Sequence, residues 1–329
     1  MNLSKFIILV LLLLLTITDL PLLCGQSTYQ STYQIDTVAG YRFYDGNGGL
    51  AKLVPMNPTK VTVNNNTGEI FFINGSSPLI RKINETSGVI STVAGTLSSS
   101  ATYDDGQLAT NTMLGGMGGI AIRSNGEIYF SEPSLNRIRK VDVDGFIWTV
   151  AGNVFVGFSG DGGDAKSAML SSPECLAITF DDELLICDNG NRRIRKVNLQ
   201  SGIISTIAGN GTNGISEDNI HAINATLNGL EGICSNDRGD IFVADIYRNF
   251  SDPLSREISR IVKIDVDGII TKVFSSQDSW IQDLTIYSDG SLLFSDSRIR
   301  MMYDNGTIST ITTTSAGSYN PRGIDVMSD

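Results

Sequence analysis

The tetrapeptide Thr37-Val38-Ala39-Gly40 returns as Thr92 to Gly95, as Thr149 to Gly152 and, with Ile207 in place of valine, as Thr206 to Gly209. The intervals are 55, 57 and 57 residues, and weaker echoes stand at Thr271-Lys272-Val273 and Thr310-Ile311-Thr312. A fixed period of this length marks a repeat architecture in which each unit is one supersecondary element. The grammar inside an interval is constant. A loop rich in Asp and Gly (Ser159 to Ala165) leads to a short alternating strand, a turn and a second apolar strand, as in MGGIAIRSNGEIYFSE from Met117 to Glu132. A third strand carries basic residues (NRIRKVD, Asn136 to Asp142), and the fourth contains the tetrapeptide (FIWTVAG, Phe146 to Gly152). Four short antiparallel strands per unit, repeated at this spacing, predict an all-β chain folded as a β-propeller. The 34 glycines against 8 prolines fit a chain of many tight turns.

Five units run through completely. Their first strands begin near Pro58, Met117, Pro173, Leu230 and Ile281, and their third strands carry LIRKI, NRIRKV, RRIRKV, SRIVKI and SRIRMMY. The fourth unit holds an insertion, Tyr247 to Glu257, expected to be an exposed loop. A sixth unit is split: Pro321 to Val326 reads as an inner strand and Ile35 to Val38 as an outer one. The expectation is therefore a six-bladed propeller of four-stranded antiparallel blades over residues 35–329. Its last blade is incomplete, and the pairing of the chain ends closes the ring and protects its edges.

The N-terminus reads as an address. Lys5 precedes the apolar run Phe6 to Leu15, which Thr16, Asp19 and Pro21 interrupt before it reaches membrane-spanning length. Residues 1–25 are expected to be a signal peptide cleaved after Gly25, and 26–34 a short linker. The protein is then secreted or held on the extracellular face of the cell surface, with no membrane insertion of the mature chain. Seven N-x-S/T sequons, at Asn65, Asn74, Asn84, Asn210, Asn224, Asn249 and Asn305, are candidate glycosylation sites. Cys175, Cys187 and Cys234 follow the leader. The first two end one predicted hairpin, ECLAITFDDELLIC. Antiparallel pairing would bring their Cα atoms within the ~4.4–6.8 Å of a disulfide if the register allows. Cys187 with Cys234 is the competing pair, and three buried thiols are the third alternative. The net charge of −11 makes nucleic acid and anionic membrane poor partners.

The order P-x-G-I-A, G-x-I-Y-x-x-D, N-R-I-R-K-V, S-T-V-A-G, G-D-G-G-x-A resembles NHL repeats, particularly those in the extracellular propeller of teneurins and in secreted microbial proteins. The likeness covers residues 35–329. It implies a six-bladed ring whose loops on one face recognise another macromolecule. Propellers host enzymes and adhesion surfaces alike, so function has to come from the residues.

Several constellations could carry chemistry. Asn74, Glu132, Asp188, Asp245 and Asp296 end successive second strands and so ring one face; Glu174, Glu231 and Asp283 open inner strands near it. Calcium, which takes about six to eight oxygens, is the metal such carboxylates would suit. Their recurrence at every blade argues instead for hydrogen bonds to their own hairpins, or for pairing with Arg137, Arg193, Arg260 or Arg298. The Asp–Gly loops lack EF-hand ligand spacing and read as turns. The basic stripe alternates between sheet faces, which splits it as a nucleic-acid patch and favours salt bridges between blades. His221 is the single histidine, too few for a zinc-dependent amidating lyase. No catalytic, cofactor-binding or metal residue is assigned. The reading is a non-catalytic module that binds an extracellular protein or glycan. The alternative is a metal-assisted gluconolactonase-like or strictosidine-synthase-like enzyme using Glu174, Glu231 and Asp283.

Overall fold

A computed structural model describes residues 47–54, 57–75, 77–98, 100–247, 258–277, 279–287, 289–313 and 323–326. The leader, the linker, the outer strand expected at 35–38, most of the insertion and the Asn249 sequon lie outside them. The first blade is β1 (Pro58–Val63), β2 (Ile70–Asn74), β3 (Leu79–Ile83) and β4 (Ile90–Ala94). The second is β5 (Ile120–Ile122), β6 (Ile128–Glu132), β7 (Arg137–Val141) and β8 (Ile147–Ala151). The third is β9 (Pro173–Ile178), β10 (Glu183–Asp188), β11 (Arg193–Asn198) and β12 (Ile204–Ala208). A short strand β13 (Ile220–His221) precedes the fourth, which is β14 (Gly229–Ser235), β15 (Ile241–Tyr247), β16 (Ile258–Ile264) and β17 (Ile269–Ser276). The fifth is β18 (Asp283–Ile286), β19 (Leu292–Ser295), β20 (Arg298–Met302) and β21 (Ile308–Thr313). Each is an antiparallel meander in sequence order, with β13 added to the outer edge of the fourth.

Each residue of the repeated tetrapeptide has a fixed place in the blade. Its alanine is completely buried at Ala94, Ala151 and Ala208. A Cβ on the following glycine would lie 2.3 Å from the Pro78 carbonyl oxygen at Gly95, 2.3 Å from that of Asn136 at Gly152, and 2.2 Å from that of Arg192 at Gly209. The same glycines have φ of +95°, +91° and +90°, so only glycine fits. Their N–H groups donate to Ala109, Ala165 and Ala222, the buried alanines of the loop opening the next unit. Its threonine hydroxyls donate to Asn47, Asp105 and Asp161 of the Asp–Gly loops. These acceptors also receive the buried guanidinium groups of Arg81, Arg139 and Arg195. The middle arginine of each RIRK run therefore ties the opening loop of a unit to its own third and fourth strands. The following lysines pair within the blade as well: Lys82 with Glu69, Lys140 with Glu127, Lys196 with Glu183. Among the described residues, bridging between blades is made by pairs such as Arg123–Asp182 and Lys60–Asp283, fewer than the sequence suggests.

The core lies between blades. Leu176, Leu184 and Ile186 of the third blade pack on Ala121, Tyr129 and Ile138 of the second, and the same interleaving recurs around the ring. Inner strands approach closely at glycine. A Cβ on Gly119 would come within 3.0 Å of Cys175 Cα in the next blade, and one on Gly232 within 3.1 Å of Asp283 Cα. Gly323 bears the same relation to Lys60, at 2.9 Å from its Cα, while Ile324 packs on Leu293, Ile299 and Met301 of the fifth blade. Residues 323–326 thus stand in the inner-strand place between the fifth and first blades.

The expected six blades are corrected to five. Among the described residues the sixth position holds only this extended segment, which joins no ladder. Its N–H and side-chain groups bond to Asp283, Thr285 and Val63 of the flanking blades.

A candidate binding site at the channel mouth

Three inner strands share an irregularity. The register of β1 on β2 shifts between Pro58 and Lys60, that of β14 on β15 between Leu230 and Gly232, and that of β9 on β10 between the partners of Ile186 and Asp188. The extra residues are Thr59, Glu231 and, at the equivalent place, Glu174. A β-bulge frees its extra residue from the ladder and re-aims the side chain. Here the three enter a cavity of about 820 Å³ at one mouth of the central channel. Gln282, Lys60, Gly118, Tyr103, Leu135 and Trp280 also line it.

Lys60 is engaged below the mouth. Its ammonium donates to the carbonyl oxygens of Glu231 (2.9 Å) and Gln282 (3.1 Å) and pairs with Asp283 at 3.3 Å. Glu174 and Glu231 make no side-chain hydrogen bond or ion pair. Burial, and then the charge of Glu231, push the Glu174 carboxyl up to about 7, with Lys60 opposing. Deeper in the channel, a second cavity of about 250 Å³ is lined by Lys60, Cys234, Asp283, Thr285 and Asp325. Asp283 belongs to this layer, so the structure brings Glu174 and Glu231 together and separates Asp283 from them.

The ring of second-strand acids has a structural duty. Asn74, Glu132, Asp188 and Asp245 each accept the backbone N–H of the residue 17 positions earlier: Asn57, Gly115, Ser171 and Asn228. Asp296 accepts the Ser279 hydroxyl across the same interval. Each side chain thereby anchors the segment entering its blade. The arginine partners are Arg137 and Arg260, as the repeats suggest, but Arg195 and Arg300 replace Arg193 and Arg298. No group of three or more His, Cys, Asp or Glu among the described residues is placed to hold a metal ion. His221 is exposed on β13, at the outer edge of the fourth blade.

Cys175 and Cys187 are joined, with Cα atoms 5.1 Å apart, and Cys234 is a buried free thiol. Of the sequons, Asn65, Asn210, Asn224 and Asn305 are exposed and Asn84 is half-buried. Asn74 is buried, with its amide oxygen on Asn57 N and its amide nitrogen on the Ser77 hydroxyl, which leaves no room for a glycan in the folded protein.

The fold and repeat pattern define a β-propeller of NHL-type repeats. No family model matches the chain. Human teneurin-4 is 35% identical over 114 residues, 30% of this chain and 4% of teneurin-4. Mouse teneurin-3 is 36% identical over 119 residues, 32% of this chain and again 4% of the relative. The matched segment is thus a small part of those proteins. Among solved structures, virginiamycin B lyase from Staphylococcus aureus superposes with a TM-score of 0.53 at 18% identity, covering 83% of this chain and 89% of the lyase. A nidogen/laminin complex gives 0.57 at 14% identity, covering 83% and 85%. A gluconolactonase from Xanthomonas campestris gives 0.55 at 12% identity, covering 82% and 78%. At these identities the likeness is one of fold.

Proposed function

We propose that this propeller is an extracellular binding module that recognises a protein or glycan through the face bearing the channel mouth, without turnover. The observation that carries the reading is the mouth itself: a wide cavity in a rigid ring, walled by aromatic and apolar side chains, with polar groups left over for a ligand. The leader at 1–25, the exposed sequons and the Cys175–Cys187 bridge suit a secretory route. The teneurin likeness supports an interaction role. A second reading rests on Glu174. A carboxyl held near neutrality beside Glu231 could move a proton, as in a gluconolactonase-like or strictosidine-synthase-like enzyme.

The test is a pair of measurements on the purified protein: binding to extracellular-protein and glycan arrays, and hydrolysis of a lactone and ester panel with calcium or zinc. Array binding without hydrolysis is expected. Hydrolysis abolished by Glu174→Gln would overturn the binding reading.

A further inference from the structure

Resting on that binding reading, we propose that the channel mouth is a socket for the guanidinium of an arginine side chain on a partner protein, flanked by an apolar loop that receives its neighbours. The mouth offers carboxylate acceptors that no donor of the described residues engages. The Glu174 and Glu231 carboxylates are unpaired, and the Oε1 of Gln282 accepts no hydrogen bond. The ammonium of Lys60 has its three donors on Glu231 O, Gln282 O and Asp283. Two unpaired carboxyl groups in one cavity, Glu174 and Glu231, match a planar cation with five N–H donors better than any neutral ligand. Tyr103 and Trp280 in its lining supply aromatic surface on which a guanidinium stacks.

The second element adjoins the first. Leu135 lines the mouth, and the next residue, Asn136, donates from its side chain to the carbonyl of Val154 at 3.4 Å. That contact holds a loop whose tip leaves Val154, Phe155 and Val156 exposed at 49, 69 and 67%. Phe158, at its base, has the Arg193 guanidinium stacked 3.9 Å from its ring centroid and stays 41% exposed. Val154 has φ of +67°, a conformation that a β-branched residue adopts only under constraint. An apolar tip held outward beside an anionic socket fits a partner segment in which arginine is flanked by apolar residues.

Two blocked peptides test this by isothermal titration of the whole chain at low salt: Ac-Leu-Arg-Leu-NH2 and its neutral isostere with citrulline. The arginine peptide is expected to bind at least about tenfold more tightly. Glu174→Gln with Glu231→Gln should erase that preference without lowering the melting temperature. Phe155→Ser should weaken both peptides several-fold and leave their ratio intact. Equal binding of the two peptides, a preference that survives the double substitution, or no binding at millimolar peptide would overturn the proposal. So would binding that emerges only in Arg322→Ala, which would assign the socket to the chain's own arginine, or glycan-array binding that the double substitution abolishes. Failure with retained array binding rejects the socket and spares the binding function, whereas silence in both rejects both.

Discussion

The carboxylate of Asp325 accepts the backbone N–H of Val63 at 2.8 Å, across 262 positions of sequence. Its other oxygen takes the hydroxyl of Thr285 at 3.0 Å, in the fifth blade. Asp283 answers from the other side, accepting Ile324 N–H at 3.2 Å and pairing with Lys60 of the first blade. Two carboxylates thus stitch the seam between the fifth and first blades, where the described residues hold only the segment 323–326.

Loss of that stitch should be visible in stability. Asp325→Ala removes acceptors from Val63 and Thr285, and about 1–3 kcal/mol of destabilisation is expected by denaturant unfolding. Asp289→Ala, in the Tyr287–Ser291 turn of the same blade, should cost much less.

The same residue makes stability depend on pH in an uncommon direction. Burial pushes the Asp325 carboxyl up to about 6 from an ordinary 3.8. A raised carboxyl binds more protons folded than unfolded, so its contribution to stability falls as pH rises from about 4 to 6. Glu174, pushed up to about 7, acts likewise between about 4.5 and 7. Glu127 opposes them at the acid end. Held down to about 2 by Lys140, Asn125 and Arg123 against desolvation, it loses its contribution as pH falls below about 4.5. A stability maximum between pH 4 and 5 is expected in chemical unfolding. Asp325→Asn with Glu174→Gln should flatten the decline above it.

The Asp245–Arg260 pair joins a fully buried acid to a buried guanidinium at 2.7 Å. Asp245→Asn leaves that cation uncompensated, and about 3–5 kcal/mol should be lost. Arg260→Met added to it should restore part of the loss, which a double-mutant cycle measures.

Glycine positions that look alike in sequence should separate. Gly152→Ala drives a Cβ to 2.3 Å from the Asn136 carbonyl oxygen and should prevent folding or cost several times what Gly145→Ala does. Gly145 has φ of +85° but open space around it, so strain of about 1 kcal/mol is all its substitution should cost. Melting temperatures decide.

Cys234 should resist thiol reagents in the folded protein. Burial, then the charges of Asp283 and Asp325, push its thiol up. Labelling mapped to Cys234 is expected only after unfolding, and Cys175 and Cys187 should label only after reduction. Rapid labelling of Cys234 in the native state would contradict its burial.

The fold was legible because a propeller blade is a local object. Four strands joined by short turns write their period into the chain, and Gly95, Gly152 and Gly209 mark each return because no other residue fits against the facing carbonyl. The pairing of Cys175 with Cys187 was within reach for the same reason, although register kept it open. What sequence left undecided was everything that depends on which residues meet across the ring. The 17-residue anchor from Gly115 to Glu132 and its equivalents was present in the letters, but only the folded turn shows those carboxylates receiving backbone N–H groups. Glu174 and Glu231, 57 positions apart, share a cavity because a bulge turns each out of its ladder and the blade rotation sets them side by side. Asp283, equally acidic and equally near an inner-strand start, is turned one layer deeper onto Lys60. Periodicity along a chain fixes the repeating unit; the distance between side chains of different units is set by how the units pack, and that is decided in three dimensions.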